Sequence, residues 1–132
     1  MSRIVLDTNV VIAAFAARGL CESVFELCLE RHQLITSNYL LDELNAKLSR
    51  KLKLPDSTVL EIIQLYRNSS NSVEPALLEA SACRDPKDVP VMGTCVAGNA
   101  QYLVSGDKDL LVLKSFQNTK ILSRREFYEL QK

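Results

Sequence analysis

Carboxylates stand where apolar runs stop or start in this chain of 132 residues. Asp7 ends "RIVL", and Asp107 follows "YLVSG". Asp88 precedes "VPVM", while Asp42 and Glu43 lie side by side in "YLLDELNAKL". Carboxylates brought together repel one another, so a fold that gathers several needs a compensating charge. A hard divalent cation supplies one: Mg²⁺ or Mn²⁺ takes oxygen ligands and keeps several waters. Such a centre activates water and stabilises the charge of a phosphoryl transition state. Other hydrolytic chemistry finds little here. His32, the one histidine, is remote in sequence from these acids, and Cys21, Cys28, Cys83 and Cys95 form no C-x-x-C pair, which argues against zinc. Metal-assisted hydrolysis of a phosphodiester best fits the residues present.

The acids need elements to aim them. Arg3 to Leu6 predicts a strand. Helical stretches follow at roughly 10–17, broken by Gly19, and at 20–31, where Leu20, Val24, Leu27 and Cys28 share a face. "QLITS" (33–37) predicts a second strand. A helix over 38–52 carries the apolar stripe Leu41, Leu44, Leu48 and Leu52. Asp42 and Glu43 flank that stripe on opposite sides, so helical geometry does not choose between them. Pro55 and Asp56 open another helix, with Val59, Ile62, Ile63 and Tyr66 at helical spacing. "NSSNS" (68–72) ends it, and "VEP" (73–75) suggests a short strand. "DVPVMGTCVAG" (88–98) predicts a helix with Pro90 in its first turn and Gly98 as its stop. "QYLVSGD" predicts a strand, with a helical turn from Asp109. "KIL" (120–122) is a last strand, and Ser123 caps a last helix containing Phe127 and Leu130.

Alternation of this kind predicts a parallel sheet covered by helices. Parallel α/β sheets bind ligands just beyond the carboxyl ends of their strands. Asp7 and Asp107 both take such positions, so two strands can aim carboxylates at one crevice.

The length suits a single domain over 1–132. With 47% hydrophobic and 24% charged residues, the composition is that of an ordinary globule. Sixteen basic and sixteen acidic residues cancel, so no global basic field announces a nucleic-acid partner, and any such partner needs local positive charge. Lys87 and Lys108, each beside a candidate acid, supply it better than "RKLK" (50–53), which suits a solvated helix end. No basic-then-apolar leader opens the chain, and no apolar run approaches the roughly 20 residues of a membrane span. The expectation is a cytoplasmic, reduced protein with no membrane partner.

"VLDTNVVI", "SNYLLDEL", "DPKDVPVM" and "YLVSGDKDLL", in this order and spacing, resemble the PIN-domain ribonucleases, and among them the small prokaryotic toxins of toxin–antitoxin pairs. The resemblance runs from about Ile4 to Leu113. It implies a three-layer α/β/α PIN-like fold with a central, mainly parallel sheet. It also implies an Mg²⁺- or Mn²⁺-dependent endoribonuclease acting on RNA, a cognate antitoxin partner and a homodimer. Asp7, Glu43, Asp88 and Asp107 are similar to the family's four catalytic and metal-binding acids, with Asp85 and Asp109 as nearby second choices for the last two. The resemblance thus favours Glu43 over Asp42. Asn9 and Ser105 are similar to polar positions that support the family's acids, and Lys87 and Lys108, each adjoining a proposed ligand, are candidates to contact the substrate. Gly93, Thr94 and Cys95 depart from the alanine-rich helix common in relatives, which bears on packing more than on chemistry.

Each acid also has a plainer role open to it. Asp7 and Asp88 suit helix N-caps, Glu43 suits an i,i+4 pair with Lys47, and Asp107 suits a turn. Two rival functions remain. An Asp-nucleophile phosphatase of the haloacid dehalogenase type also places an Asp after its first strand. That chemistry wants an acid two residues later to protonate the leaving group, where this chain has Asn9. A non-catalytic protein-interaction domain on the same fold is the other rival.

Overall fold

A computed structural model describes residues 2–16 and 20–131. The break assigned to Gly19 and the face position assigned to Leu20 lie outside what is described. The chain runs β1 (Arg3–Leu6), α1 (Thr8–Ala16), α2 (Leu20–Arg31), β2 (Gln33–Thr36), α3 (Asn38–Arg50), α4 (Asp56–Asn68) and β3 (Ser70–Ser72). It continues through α5 (Val89–Ala97), β4 (Tyr102–Val104), α6 (Lys108–Leu111), β5 (Ser115–Phe116), β6 (Thr119–Leu122) and α7 (Arg124–Leu130). Short 3-10 turns at Ala80–Ala82 and Pro86–Asp88 precede α5.

The strands form one sheet in the order β3-β2-β1-β4-β6-β5. Every pairing is parallel except β5 with β6. The chain therefore winds outward from β1 through β2 to β3, then crosses back to β4 on the other side of β1. That reversal makes a switch point between the carboxyl ends of β1 and β4, where such sheets open a crevice.

Both faces of the sheet are covered, which is why β1 reads as a continuous apolar run rather than an alternating one. Ile4 and Leu6 pack with Val10, Cys28, Leu34, Leu44, Leu48, Ile63 and Phe127 in one core. Val5 faces the other way and packs with Ile35, Met92, Cys95, Leu103 and Ile121. The result is the expected α/β/α arrangement, with α5 and α6 on the second face. The Ser123 cap is present, and Glu126 completes a capping box by accepting from the Ser123 N–H at 3.0 Å. It fixes the entry of α7, whose Phe127 is fully buried.

Several boundaries differ from expectation for identifiable reasons. The third strand is Ser70–Ser72, not "VEP" (73–75). It is a largely exposed edge strand, so its residues need not be apolar. The Val73 N–H still donates to the Thr36 carbonyl at 2.9 Å, and Pro75 then offers no N–H to continue the ladder. From there the chain crosses α5 so closely that a Cβ on Gly93 would lie 2.5 Å from the Ala76 carbonyl oxygen. This is the packing reason for glycine in that helix. Gly98 does not supply the left-handed residue that ends α5; Asn99 does, at φ 50°. Gly98 is small because Ile35 Cγ2 would lie 2.4 Å from a Cβ there. The two-residue strand β5 carries no apolar alternation long enough to announce it.

Candidate functional site

The backbone of Asp7 joins β1 to both its neighbours in the site. Its N–H donates to the Val104 carbonyl at 3.0 Å, and its own carbonyl accepts from Val10 at 2.9 Å, beginning α1. Its side chain is held from the opposite side of the switch point, where Ser105 Oγ donates to Asp7 Oδ2 at 2.8 Å. Asp7 is only 8% exposed. Burial pushes its carboxyl above the ordinary value and Glu43 adds to the rise, while the Ser105 hydrogen bond and Lys47 pull it back.

Helix α3 brings Glu43 to the same place. Ser37 caps its N-terminus and is fixed in turn by Thr94 of α5, whose hydroxyl lies 2.9 Å from Ser37 Oγ; both residues are fully buried. Leu41, Leu44 and Leu48 bury one side of α3. Of the adjacent acids, Asp42 is exposed and Glu43 is half-buried. The Thr8 hydroxyl donates to Glu43 Oε1. Lys47 Nζ then joins three residues, donating to Thr8 Oγ1 at 3.0 Å, Asn9 Oδ1 at 3.1 Å and Glu43 Oε1 at 3.4 Å. The i,i+4 pair anticipated for Glu43 exists, but it is tied to Thr8 and Asn9 in the first turn of α1 rather than lying on a solvated face.

Asp88 ends the 3-10 turn at the N-terminus of α5, yet its side chain makes no capping hydrogen bond. Its carboxyl is pushed up to about 6, first by burial and then by Asp107, Asp85, Asp7 and Glu43. Asp85 instead closes its own turn by accepting from the Lys87 N–H at 2.9 Å. Asp107 serves as a turn and cap through one oxygen, Oδ1, which accepts from the Asp109 N–H at 2.9 Å. Its own N–H donates to Ser105 Oγ at 3.0 Å, so Ser105 links Asp7 to Asp107. Asp109 points to Arg84 at 3.7 Å.

Asp88 thus shares one electrostatic neighbourhood with Asp107, Asp85, Asp7 and Glu43, whereas Asp42 does not join them. Among the described residues, no three His, Cys, Asp or Glu side chains stand close enough together to form a ready-made metal cluster. The donor set is all oxygen, which suits a hard cation in chemistry and not zinc. Lys87 is exposed beside Asp88, and Lys108 is exposed at the start of α6.

The other candidates are structural. His32 Nδ1 accepts from the Ser2 N–H at 3.2 Å, its Nε2 lies 2.6 Å from Gln131 Oε1, and its ring meets Phe127 edge-on. Burial pushes the Cys28 and Cys95 thiols up to about 12, which leaves them inert. Sequence reasoning missed Thr8 and the wider reach of Lys47. Thr8 is only 2% exposed, and a polar residue inside an apolar run was the available signal.

A PIN-domain family model matches residues 3–109, and the chain belongs to the PIN-domain family. Its fold is similar to a chain in the crystal structure of VapBC2 from Rickettsia felis bound to a DNA fragment from their promoter. The TM-score is 0.64 at 14% identity, over 92% of this chain and 98% of that one. No curated protein matches it in sequence.

Proposed function

We propose that the protein is a metal-dependent endoribonuclease, the toxin of a toxin–antitoxin pair. The observation that carries this reading is Asp88, a half-buried carboxyl raised first by its burial and then by Asp107, Asp85, Asp7 and Glu43 at the switch point of the sheet. In this reading Asp7, Glu43, Asp88 and Asp107 hold Mg²⁺ or Mn²⁺. When bound, the cation supplies an activated water and neutralises charge on the phosphodiester. Ser105 orients Asp7 from one side and Thr8 orients Glu43 from the other. Lys47 offsets the carboxylates, and with Asn9 it keeps the end of β1 in register with α3.

Membership of the PIN family supports the nuclease chemistry. The VapBC2 structure, a complex on promoter DNA, supports a protein antitoxin as partner. Exposed Leu60 and Leu65 on α4 support a homodimer, because Val59, Ile63 and Tyr66 already satisfy the core side of that helix. The free thiols of Cys28, Cys83 and Cys95 suit a reducing cytoplasm. Among the described residues, no helix is long and apolar enough to cross a membrane.

The test is cleavage of single-stranded RNA with Mn²⁺ or Mg²⁺, and its arrest by excess chelator. Undiminished cleavage in chelator overturns the metal mechanism. A protein with neither cleavage nor a calorimetric Mn²⁺ site belongs instead to the non-catalytic class.

A further inference from the structure

Helix α3 presents a second face beside the acids. Tyr39, Glu43, Ala46, Lys47 and Arg50 recur at spacings of four, three, one and three residues, which keeps them on one side of a helix. With Lys51 and, from the turn before α5, Lys87, they line a groove of about 370 Å³. Four of the seven lining residues are cations, in a chain whose formal net charge is zero. Lys47 is paired with Glu43, but among the described residues no ion-pair partner is found for Arg50, Lys51 or Lys87. Those three exposed cations line the groove without ion-pair partners, while the Tyr39 hydroxyl among them is raised first by its burial and then by Glu43, Asp88 and Asp85. The Tyr39 hydroxyl donates to the Lys87 carbonyl at 3.0 Å, which holds its ring in the wall of the groove.

We propose that this groove is the track for single-stranded RNA leading into the acid site. This rests on the nuclease reading and adds the path of the substrate to it. Successive phosphates lie against Lys87, Arg50 and Lys51, with Lys47 nearest the scissile one. A base stacks on Tyr39. Cations along a groove with an aromatic ring between them are what an unpaired strand needs, since every base offers a π-face and every nucleotide a phosphate. A duplex, with its bases already stacked, has no use for the ring. The groove opens directly onto Glu43, so a strand lying in it delivers a phosphate to the carboxylates.

The experiment measures binding of a fluorescent 12-nucleotide single-stranded RNA in the Asp7→Asn background with Mn²⁺, so that the probe survives. Arg50→Glu/Lys51→Glu is compared with Lys120→Glu/Arg125→Glu, a charge-matched pair of exposed residues outside the groove. The groove pair is expected to weaken binding tenfold or more and to flatten the dependence of log Kd on log salt by about 1.4, at about 0.7 per lost phosphate contact. The control pair is expected to change binding less than threefold. Tyr39→Ala is expected to weaken binding of the single strand while Tyr39→Phe retains it. Equal losses in the two charge-reversed pairs, or none in the groove pair, overturn the proposal. So does poly-glutamate bound as tightly as RNA with no dependence on the Tyr39 ring, which marks the groove as an acidic-peptide site. Wild type that cuts RNA with full kcat/KM preserved in Arg50→Glu/Lys51→Glu removes the groove alone. Wild type that neither binds nor cuts RNA removes the nuclease reading with it.

Discussion

Ser105 donates its hydroxyl to Asp7 Oδ2 across 2.8 Å, although the two residues are 98 positions apart in the chain. The bond closes the seam between the parallel strands β1 and β4, where the order of strands reverses. Ser105 Oγ also accepts from the Asp107 N–H, so one buried hydroxyl sets the positions of two acids.

Ser105→Ala is therefore expected to cost on the order of 1–3 kcal/mol, since it strips a partner from two polar groups. It is also expected to lower kcat for RNA cleavage at least tenfold. Denaturant melts and steady-state kinetics on the same preparation check both. Full activity in a destabilised variant means that Ser105 holds the fold and not the site.

Asp88 gives the pH dependence its sign. Its carboxyl is raised from 3.8 to about 6, so between those values the folded chain holds a proton that the unfolded chain has released. Folding then binds protons, and stability falls as pH rises. Below the ordinary value the group contributes nothing, and above about pH 6 its penalty is complete. Asp7, also raised, acts in the same direction. In chelator, the difference in Tm between Asp88→Asn and wild type is expected to grow from pH 4 to pH 6.5 in favour of the variant. A constant difference across that range contradicts the crowding of Asp88 by the other acids.

Glu43→Gln is expected to abolish most RNA cleavage, whereas Asp42→Asn leaves most of it. Adjacent helical residues point about 100° apart, and it is Glu43 that meets Thr8 and Lys47. Equal losses in the two variants contradict this assignment.

The sheet was legible where local and tertiary demands coincide. The apolar runs of β1 and β4 each stop on polar residues, and the switch point lies there. The edge strand Ser70–Ser72 was not legible, because an exposed edge places no demand on side-chain polarity. Lys47 was hidden for a different reason. A glutamate and a lysine four apart look the same in sequence whether they face water or the start of another helix. Only the contacts with Thr8 and Asn9, 39 and 38 positions away, distinguish the two. Asp107 shows that the plain and chemical roles need not exclude each other, since one oxygen caps α6 and the carboxylate still raises Asp88.

Thermal melts of wild type and Asp7→Asn, each in chelator and in Mn²⁺, test the central claim most directly. Asparagine keeps an oxygen to accept from Ser105 and removes one of the charges that bear on Asp88. In chelator the variant is expected to melt above wild type, by a few degrees for on the order of 1 kcal/mol of relieved repulsion and burial. Mn²⁺ is then expected to raise wild type by mass action, about 2.7 kcal/mol at a hundredfold excess over Kd, and to raise the variant much less. If the two melt together and neither responds to Mn²⁺, Asp7 does no more than begin α1, and the account of a metal-holding nuclease site is contradicted.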